Sequence, residues 1–265
     1  MIAGGDCLAS ITRLERRSAM LRDHLTQQYG LEQVSVRLSL SGQHYTIHLP
    51  SKDAVDRMFT EASANPQLAK PFWTRVWASG VAMADMALAR QSELAGQRVL
   101  ELGSGLGVTA AAATAAGATV VAADYSEVAL SFLRYNTLAN AGASARTLKL
   151  DWRSPSTQAR NRLDAYHAFP VVMAADVLYE GRDVVPLMQL IDQVLTPDGT
   201  LWLAEPGRAT AQRFLYRLAE DGWRGVSEVV AVPGEDGAVD HVHVHVLRRP
   251  ATSDWLRTSL GGWRM

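Results

Sequence analysis

The sequence predicts an α/β fold: a mostly parallel sheet with helices on both faces, closed by an antiparallel hairpin and preceded by a small N-terminal helix and β-hairpin. Three observations carry this expectation. From Phe72 onward, apolar strands near 98–102, 119–123, 146–150, 171–175 and 200–204 alternate with helical repeats near 108–116, 126–140, 183–195 and 209–221, and such alternation builds a parallel sheet covered on both faces. The first of these strands runs straight into a glycine-rich turn, Val99-Leu-Glu-Leu-Gly-Ser-Gly-Leu-Gly107. The last two apolar alternations, 226–232 and 241–247, are separated by Pro233-Gly-Glu-Asp-Gly237, which is hairpin and not crossover chemistry.

In chain order, residues 1–70 read as an extension. Ile11, Leu14, Ser18, Leu21 and Leu25 lie along one helical stripe, with Arg13, Arg16, Arg17 and Arg22 on its flanks, as in a helix docked by one face. An organelle transit helix shares that look but avoids acids, and Asp6, Glu15 and Asp23 interrupt this one. Residues 34–40 then alternate, Ser41-Gly42-Gln43 marks a turn, and 44–49 alternate again up to Pro50, a hairpin pattern. Asn65-Pro66 and Lys70-Pro71 break the chain before the main domain, expected over 71–250, with 251–265 as a C-terminal tail. A helix carrying Trp77, Val81 and Met86 leads to Gly96 and the first strand of the sheet. The alanine-rich run 110–116 lets the first crossover helix sit close to the strands, and Gly117 suits its C-terminal end. There is no internal repeat at a fixed period.

Composition narrows the function. The 265 residues, 48% hydrophobic, suit one α/β core with an addition. A net charge of -1 and a pI near 6.7 create no basic field to draw in nucleic acid or an anionic membrane. The lone Cys7 excludes an internal disulfide framework and paired-cysteine zinc motifs, which fits a reducing compartment. With no apolar run of about 18 residues and no signal-peptide core, a cytoplasmic location is expected. His241, His243 and His245 alternate with valines and share one strand face; without cysteines or dense carboxylates beside them, a solvated face is expected and no metal. A serine hydrolase has no G-x-S-x-G elbow to support it. The tail residues Trp255, Arg257, Trp263 and Arg264 read as a docked or disordered tail in a near-neutral chain, not as a nucleic-acid stacking platform.

The chemistry concentrates at the glycine turn. Gly103, Gly105 and Gly107 allow the backbone to turn sharply and bring N–H groups close to a ligand, while Asp124, ending the next strand, offers a carboxylate to a ribose diol. Spacing separates the candidate cofactors. The dinucleotide fingerprint places its third small residue at 108, where this chain has Val108, and the third glycine falls at 107 instead. That disfavours a pyrophosphate and favours S-adenosyl-L-methionine.

Three further motifs stand at the matching strand ends: Phe72-Trp-Thr-Arg-Val-Trp77, Asp151-Trp152 and Ala175-Asp-Val-Leu-Tyr179. With Glu101-Leu-Gly-Ser-Gly-Leu-Gly107 and Asp124, they make the chain resemble the class I, seven-β-strand S-adenosylmethionine-dependent methyltransferases over about residues 71–248. More narrowly, it resembles the family 16 group, most characterised members of which methylate protein lysines. The resemblance implies a Rossmann-like seven-stranded sheet and a cofactor site built from Trp77, Glu101, Gly103, Ser104, Gly105, Gly107, Asp124, Asp151, Trp152 and Ala175. In that site the glycine turn and Ser104 approach the methionine part and ribose, Asp124 takes the ribose diol, and Asp151 accepts from the adenine amine. Trp152 and Ala175 frame the adenine and substrate side, and Trp77 packs near the cofactor. Asp176 orients the acceptor amine and Tyr179 bounds the substrate channel.

Methyl transfer to an amine is an in-line displacement needing alignment, exclusion of water and a neutral nucleophile. A lysine near pKa 10.4 is protonated in neutral water, and desolvation beside a cationic cofactor favours its neutral form. The expected activity is methyl transfer to a protein lysine. A small-molecule amine as acceptor, or a non-catalytic cofactor-binding or assembly module of the same fold, are the alternatives, and an oxidoreductase is disfavoured by Val108 and the terminal hairpin. No motif encodes the acceptor or the oligomeric state. Each strand-end aspartate also has a bland role as a helix cap or turn former, Glu101 as a cap of neighbouring backbone, and Trp77 and Trp152 as core anchors.

Overall fold

The computed structural model describes residues 3–166, 168–234 and 237–250, with side chains from residue 13 onward. The tail with Trp255, Arg257, Trp263 and Arg264, the side chains of Cys7 and Ile11, and Glu235-Asp236 of the terminal turn lie outside the described residues. Helix α1 (Ala3–Tyr29) is followed by the hairpin β1 (Glu32–Leu38) and β2 (Gln43–Leu49), then α2 (Lys52–Ala64). The main body runs α3 (Ala78–Ala89), α4 (Gln91–Leu94), β3 (Arg98–Leu102), α5 (Val108–Ala115), β4 (Thr119–Asp124), α6 (Glu127–Ala141) and β5 (Arg146–Lys149). It continues with α7 (Thr157–Ala165), β6 (Phe169–Ala175), α8 (Val184–Val194), β7 (Leu195–Glu205), α9 (Ala209–Glu220), β8 (Arg224–Pro233) and β9 (Val239–Arg248).

The main sheet has the order β5-β4-β3-β6-β7-β9-β8, parallel from β5 to β7 and antiparallel through β9 and β8. The seven-stranded, mostly parallel sheet with an antiparallel end is therefore the observed fold. From β3 the chain winds outward to β4 and β5 on one side, and β6 and β7 lie on the other, so the switch point sits between β3 and β6. Leu102 pairs with Ala123 and with Ala174, and Ala174 pairs with Leu203. The loops that follow these four strands consequently leave along one edge.

Period-two alternation splits the core into two layers. Val99 joins Met83, Ala112 and Phe132 on one face of the sheet, whereas Leu100 and Leu102 join Leu187, Ile191 and Phe214 on the other. Ala110, Ala111 and Ala112 have no exposed surface, so the small residues of α5 do bring that helix hard against its neighbours. The N-terminal extension shares the first layer: Leu25 of α1 and Val36, Leu38, Tyr45 and Ile47 of the hairpin pack with Met83 and Phe132. Leu14, Ser18 and Leu21 are partly buried while Arg13, Arg16, Arg17 and Arg22 are exposed, the docked-helix arrangement. Asp85 of α3 closes the hairpin turn, accepting from Leu40 N at 2.7 Å, Ser41 N at 2.8 Å and Ser41 Oγ at 2.9 Å.

Three features depart from the sequence expectation. Helix α2 is an added element, started by Ser51, whose Oγ accepts from Ala54 N at 3.4 Å; its signal was the cap followed by Ala54, Val55, Met58, Phe59 and Ala62 at helical spacing. Helix α7 is short and polar, burying only Ala159 and Leu163, too few apolar residues to show a period. His245 is 8% exposed, not solvated, because β9 is an interior strand between β7 and β8; its Nδ1 lies 2.6 Å from Ser227 Oγ, while His241 remains exposed. Among the described residues no helix is long and apolar enough to cross a membrane.

Candidate active site

The turn after β3 is stitched to β4, with Gly103 N and Ser104 N both donating to the Ala123 carbonyl, at 2.9 and 3.0 Å. Gly103 and Gly107 adopt φ of 70° and 84°, the left-handed region where a Cβ is strained. Space forbids a side chain as well: a Cβ at 103 would stand 2.7 Å from Val177 Cγ1, and one at 107 would stand 2.6 Å from Leu133 Cγ. Gly105, at φ 49°, has nothing closer than 3.8 Å. Ser104 Oγ donates within the loop, to the Ala123 carbonyl at 3.1 Å or the Glu101 carbonyl at 3.3 Å.

Two acids are buried beneath this turn. Asp124 is 3% exposed; its Oδ2 accepts from Gly105 N and its Oδ1 from Ser126 N, each at 2.9 Å. It therefore clamps the glycine turn to the start of α6 in addition to facing the cavity. Burial pushes its carboxyl up to about 6, against the pull of the Ser126, Gly105 and Tyr125 backbone N–H groups. Glu101, also 3% exposed, is pushed up to about 8, first by burial and further by the Asp124 charge, with Ser104 and Thr109 opposing. Its Oε2 is buried with no hydrogen-bond partner among the described residues, so Glu101 is not merely a backbone cap.

Aromatic side chains form the outer wall. Trp77 Nε1 donates to the Phe72 carbonyl at 2.8 Å, which pins the indole, and the Arg75 guanidinium lies 4.5 Å from the ring centroid. Phe72 meets Trp77 and Tyr179 edge-on, at 6.5 and 5.7 Å. Trp152 is a core residue, packed with Val177 and Leu178 and donating from Nε1 to Asp183 Oδ1 at 3.1 Å. Asp183, with no exposed surface, also accepts from Arg153 Nε at 2.5 Å and Nη2 at 3.1 Å. Asp151 is exposed, and its Oδ1 accepts from Arg153 N at 2.9 Å, an Asx turn that aims the loop.

An inner cavity of about 90 Å³ is lined by Trp77, Glu101, Gly103, Ser104, Gly105, Gly107, Asp124, Ala175, Asp176 and Tyr179. These predicted residues are thus brought together. Asp151 and Trp152 are not in it; they line an adjoining cleft of about 700 Å³, together with Trp77, Asp176 and Tyr179. Two participants escaped sequence reasoning. Tyr125 borders the inner cavity, the outer cleft and a third hollow containing Asp151, and its hydroxyl donates to the Lys70 carbonyl at 2.8 Å; its signal was an aromatic directly after the strand-end Asp124. Arg208 pairs with Asp176, and only its place after the β7 strand end, in Glu205-Pro-Gly-Arg208, hinted at a role.

A sequence profile described as lysine methyltransferase matches residues 63–221, well over half of the chain. The chain belongs to the lysine methyltransferase family. EEF1A lysine methyltransferase 3 of Mus musculus is 30% identical over 152 residues, covering 54% of this chain and 61% of that protein. The electron transfer flavoprotein beta subunit lysine methyltransferase of Danio rerio is 28% identical over 170 residues, 62% of each chain. This family member thus spans less than two thirds of the length of those curated relatives. Among solved structures, the N-methyltransferase NodS from Bradyrhizobium japonicum, in complex with S-adenosyl-L-homocysteine, superposes with a TM-score of 0.50 at 17% identity, covering 75% of this chain and 97% of its own. That likeness is one of fold.

Proposed function

We propose that this family member is an S-adenosyl-L-methionine-dependent methyltransferase that modifies a lysine amine of a protein substrate. One observation carries the reading: in a chain of this family, the aligned ends of β3, β4 and β6 gather the glycine turn, Glu101, Asp124 and Asp176 around a single cavity.

The residues present fit such a cofactor. Glu101 leaves a buried carboxylate oxygen unpartnered next to a second buried acid, an environment completed by a ligand that brings positive charge and N–H or O–H donors. Gly103 and Gly107 let the turn pack directly against Val177 and Leu133, and Gly105, with nothing nearer than 3.8 Å to an added Cβ, borders the cavity. Bound there, the cofactor supplies an electrophilic methyl group on a sulfonium.

The chain's own residues then divide the remaining work. Gly103, Gly105 and Ser104 shape the floor, and Gly107 lets α5 begin immediately behind them. Asp124 has lone pairs left for ribose hydroxyls beyond its two backbone bonds. Asp151 receives the adenine amine from the outer cleft, and Trp152 and Ala175 frame the adenine and the substrate side. Trp77 lines both the inner cavity and the outer cleft and packs near the cofactor, with the Arg75 guanidinium already over its ring. Asp176 orients the acceptor nitrogen and Tyr179 bounds its channel. The acceptor nitrogen has to be uncharged when it reacts, because an ammonium has no lone pair.

A protein acceptor is favoured by the protein substrates named in the relatives' descriptions and by an outer cleft large enough for a side chain. We read 71–250 as the methyltransferase domain, 1–70 as an extension sharing its core and 251–265 as a tail, in a cytoplasmic protein that does not depend on nucleic acid. Calorimetry with S-adenosylmethionine and with a nicotinamide dinucleotide tests the cofactor; binding of the second alone overturns the reading. Cell extract incubated with methyl-labelled cofactor, with and without the protein, tests the acceptor by mass spectrometry: label on lysine Nζ is expected, and label confined to small molecules refutes a protein substrate.

A further inference from the structure

The loops after β6 and β7 meet in an ion pair that no motif announces. Arg208 donates from Nε to Asp176 Oδ1 at 2.8 Å and from Nη2 to Oδ2 at 3.1 Å, the planar fork that matches a carboxylate. The Asp176 side chain is 10% exposed and that of Arg208 38%; both line the outer cleft, and Asp176 also lines the inner cavity. Each end of the pair is set by the end of β7. Glu205, 4% exposed, accepts from Gly207 N at 2.6 Å and Arg208 N at 2.9 Å. Asp176 donates its N–H to the Ala204 carbonyl at 2.9 Å and holds a left-handed φ of 53°, a conformation that aspartate adopts more readily than most residues with a Cβ.

Amine methylation makes opposed demands on such a carboxylate. Accepting a hydrogen bond orients the acceptor nitrogen, yet a bare carboxylate also stabilises the ammonium form and so removes the nucleophilic lone pair. We propose that Arg208 is a positioning residue that cancels the charge of Asp176, so that the carboxylate accepts an N–H from an uncharged acceptor amine without holding that amine as ammonium. The inference rests on the proposed reading of the site as an amine methyltransferase. The nitrogen lone pair forms the N–C bond, the C–S electron pair leaves with sulfur, and the surplus proton of the methylated ammonium departs to water; the Asp176–Arg208 pair takes no proton.

Of the other charges around the pair, Arg75 lines the inner cavity with Asp176 but stands over the Trp77 ring, 4.5 Å from its centroid, and makes no hydrogen bond to the Asp176 carboxylate among the described residues. Glu205 is a second acid acting on Arg208; its Oε2 accepts from the Gly207 and Arg208 backbone N–H groups, and its Oε1 lies 3.5 Å from His245 Nε2. On the β6 loop, Arg182 pairs with Glu180, and on the β5 loop Arg153 is tied to Asp183 while Asp151 faces solvent. Lys70 is exposed at the approach to α3, the phenols of Tyr125 and Tyr179 are held above their ordinary range by burial, and Glu101 and Asp124 face the inner cavity. Among the described residues, only Arg208 bonds the Asp176 carboxylate.

The test is binding of n-butylamine to the full chain saturated with S-adenosylhomocysteine, followed by tryptophan fluorescence from pH 7.5 to 9.5. From pH 8.5 to 9.5, above the titration of Glu101 at about 8, the affinity of the unmodified protein for total amine is expected to rise about tenfold per pH unit, tracking the free base. Arg208→Gln exposes the carboxylate and is expected to bind n-butylammonium about tenfold more tightly at pH 7.5, with little pH dependence. Arg208→Lys keeps the charge and the original slope. A purely structural Arg208 would shift affinity by one factor at every pH. A flat profile in the unmodified protein, or parallel profiles with and without Arg208→Gln, overturns the inference, and the first of these decides even if the variant misfolds. Loss of n-butylamine binding at every pH, with S-adenosylhomocysteine still bound, overturns the amine-acceptor reading itself and the inference with it.

Discussion

Asn136 and His48 exchange two hydrogen bonds: His48 N donates to Asn136 Oδ1 at 2.8 Å, and Asn136 Nδ2 donates to the His48 carbonyl at 2.8 Å. Asn140 does the same with Thr46, at 2.9 Å in both directions. Four residues of helix rise about 6 Å and two residues of strand about 6.8 Å, so two side chains on α6 imitate a neighbouring strand and cover the open edge of β2. Asn136 Nδ2 also donates to the Leu106 carbonyl at 2.9 Å. One buried amide therefore ties the N-terminal hairpin to the glycine turn.

Asn136 has no exposed surface, and its loss leaves the His48 and Leu106 groups without partners. Asn136→Ala is expected to cost ~3 kcal/mol and to weaken S-adenosylmethionine binding several-fold, whereas the half-buried Asn140→Ala costs ~1 kcal/mol and leaves binding alone. Urea unfolding and calorimetry check both; equal effects at the two positions contradict the link through Leu106.

The glycines of the turn are not equivalent. Gly107→Ala places a Cβ 2.6 Å from Leu133 Cγ and 3.1 Å from Leu133 Cα on top of a left-handed φ, and is expected to destabilise by ~3 kcal/mol. Gly105→Ala meets nothing within 3.8 Å and bears only the conformational term, ~1 kcal/mol. Chemical denaturation of the two variants gives the order directly.

Buried acids make stability and ligand affinity move oppositely with pH. Glu101 and Asp124 titrate higher in the folded chain, at about 8 and about 6, than their ordinary values of 4.5 and 3.8. Between those limits the native state binds more protons than the unfolded one, so stability is greatest below the ordinary values and falls as pH rises through the folded ones. A cationic ligand prefers the ionised acids. The melting temperature without ligand is expected to drop from pH 5 to 8, while S-adenosylmethionine affinity climbs and binding releases protons, measured by calorimetry in buffers of different ionisation enthalpy. Glu101→Gln should raise stability at pH 8 by ~2 kcal/mol and flatten the upper part of both curves.

Asp176→Ala is expected to lower turnover ~100-fold through lost positioning while S-adenosylmethionine affinity stays within about threefold, since the acids proposed to face the cofactor are Glu101, Asp124 and Asp151. Single-turnover kinetics beside binding calorimetry separates the two effects. Equal losses in both would remove Asp176 from the acceptor side.

Much of this site was legible because its signals are local. The run from Val99 to Gly107 carries strand, turn and helix start within a few residues, and the left-handed glycines follow from the sharpness of that turn. Asp124, Asp151 and Asp176 could be placed at strand ends by periodicity alone. Helix α7 was not legible, since two buried residues make no period, and neither was the burial of His245, which depends on β9 inserting between β7 and β8. Tyr125 and Arg208 carried only a faint local mark, a place directly after Asp124 and a place after the β7 strand end. Arg208 finds its partner 32 residues away and Asn136 finds His48 at 88.

The division has a physical basis. Backbone conformation and the direction of side chains along a strand or helix depend on near neighbours, so the linear chain was enough to specify the α/β class, the glycine turn and the presence of an acid at each strand end. The fate of each acid depends on the sum of everything packed around it. Folding leaves Glu101 with an unpartnered oxygen, spends Asp124 partly on clamping the turn, sets Asp151 outside the inner cavity and locks Asp176 against Arg208. Burial and charge compensation are properties of neighbours brought from afar, and they turn four similar carboxylates into four different chemical groups.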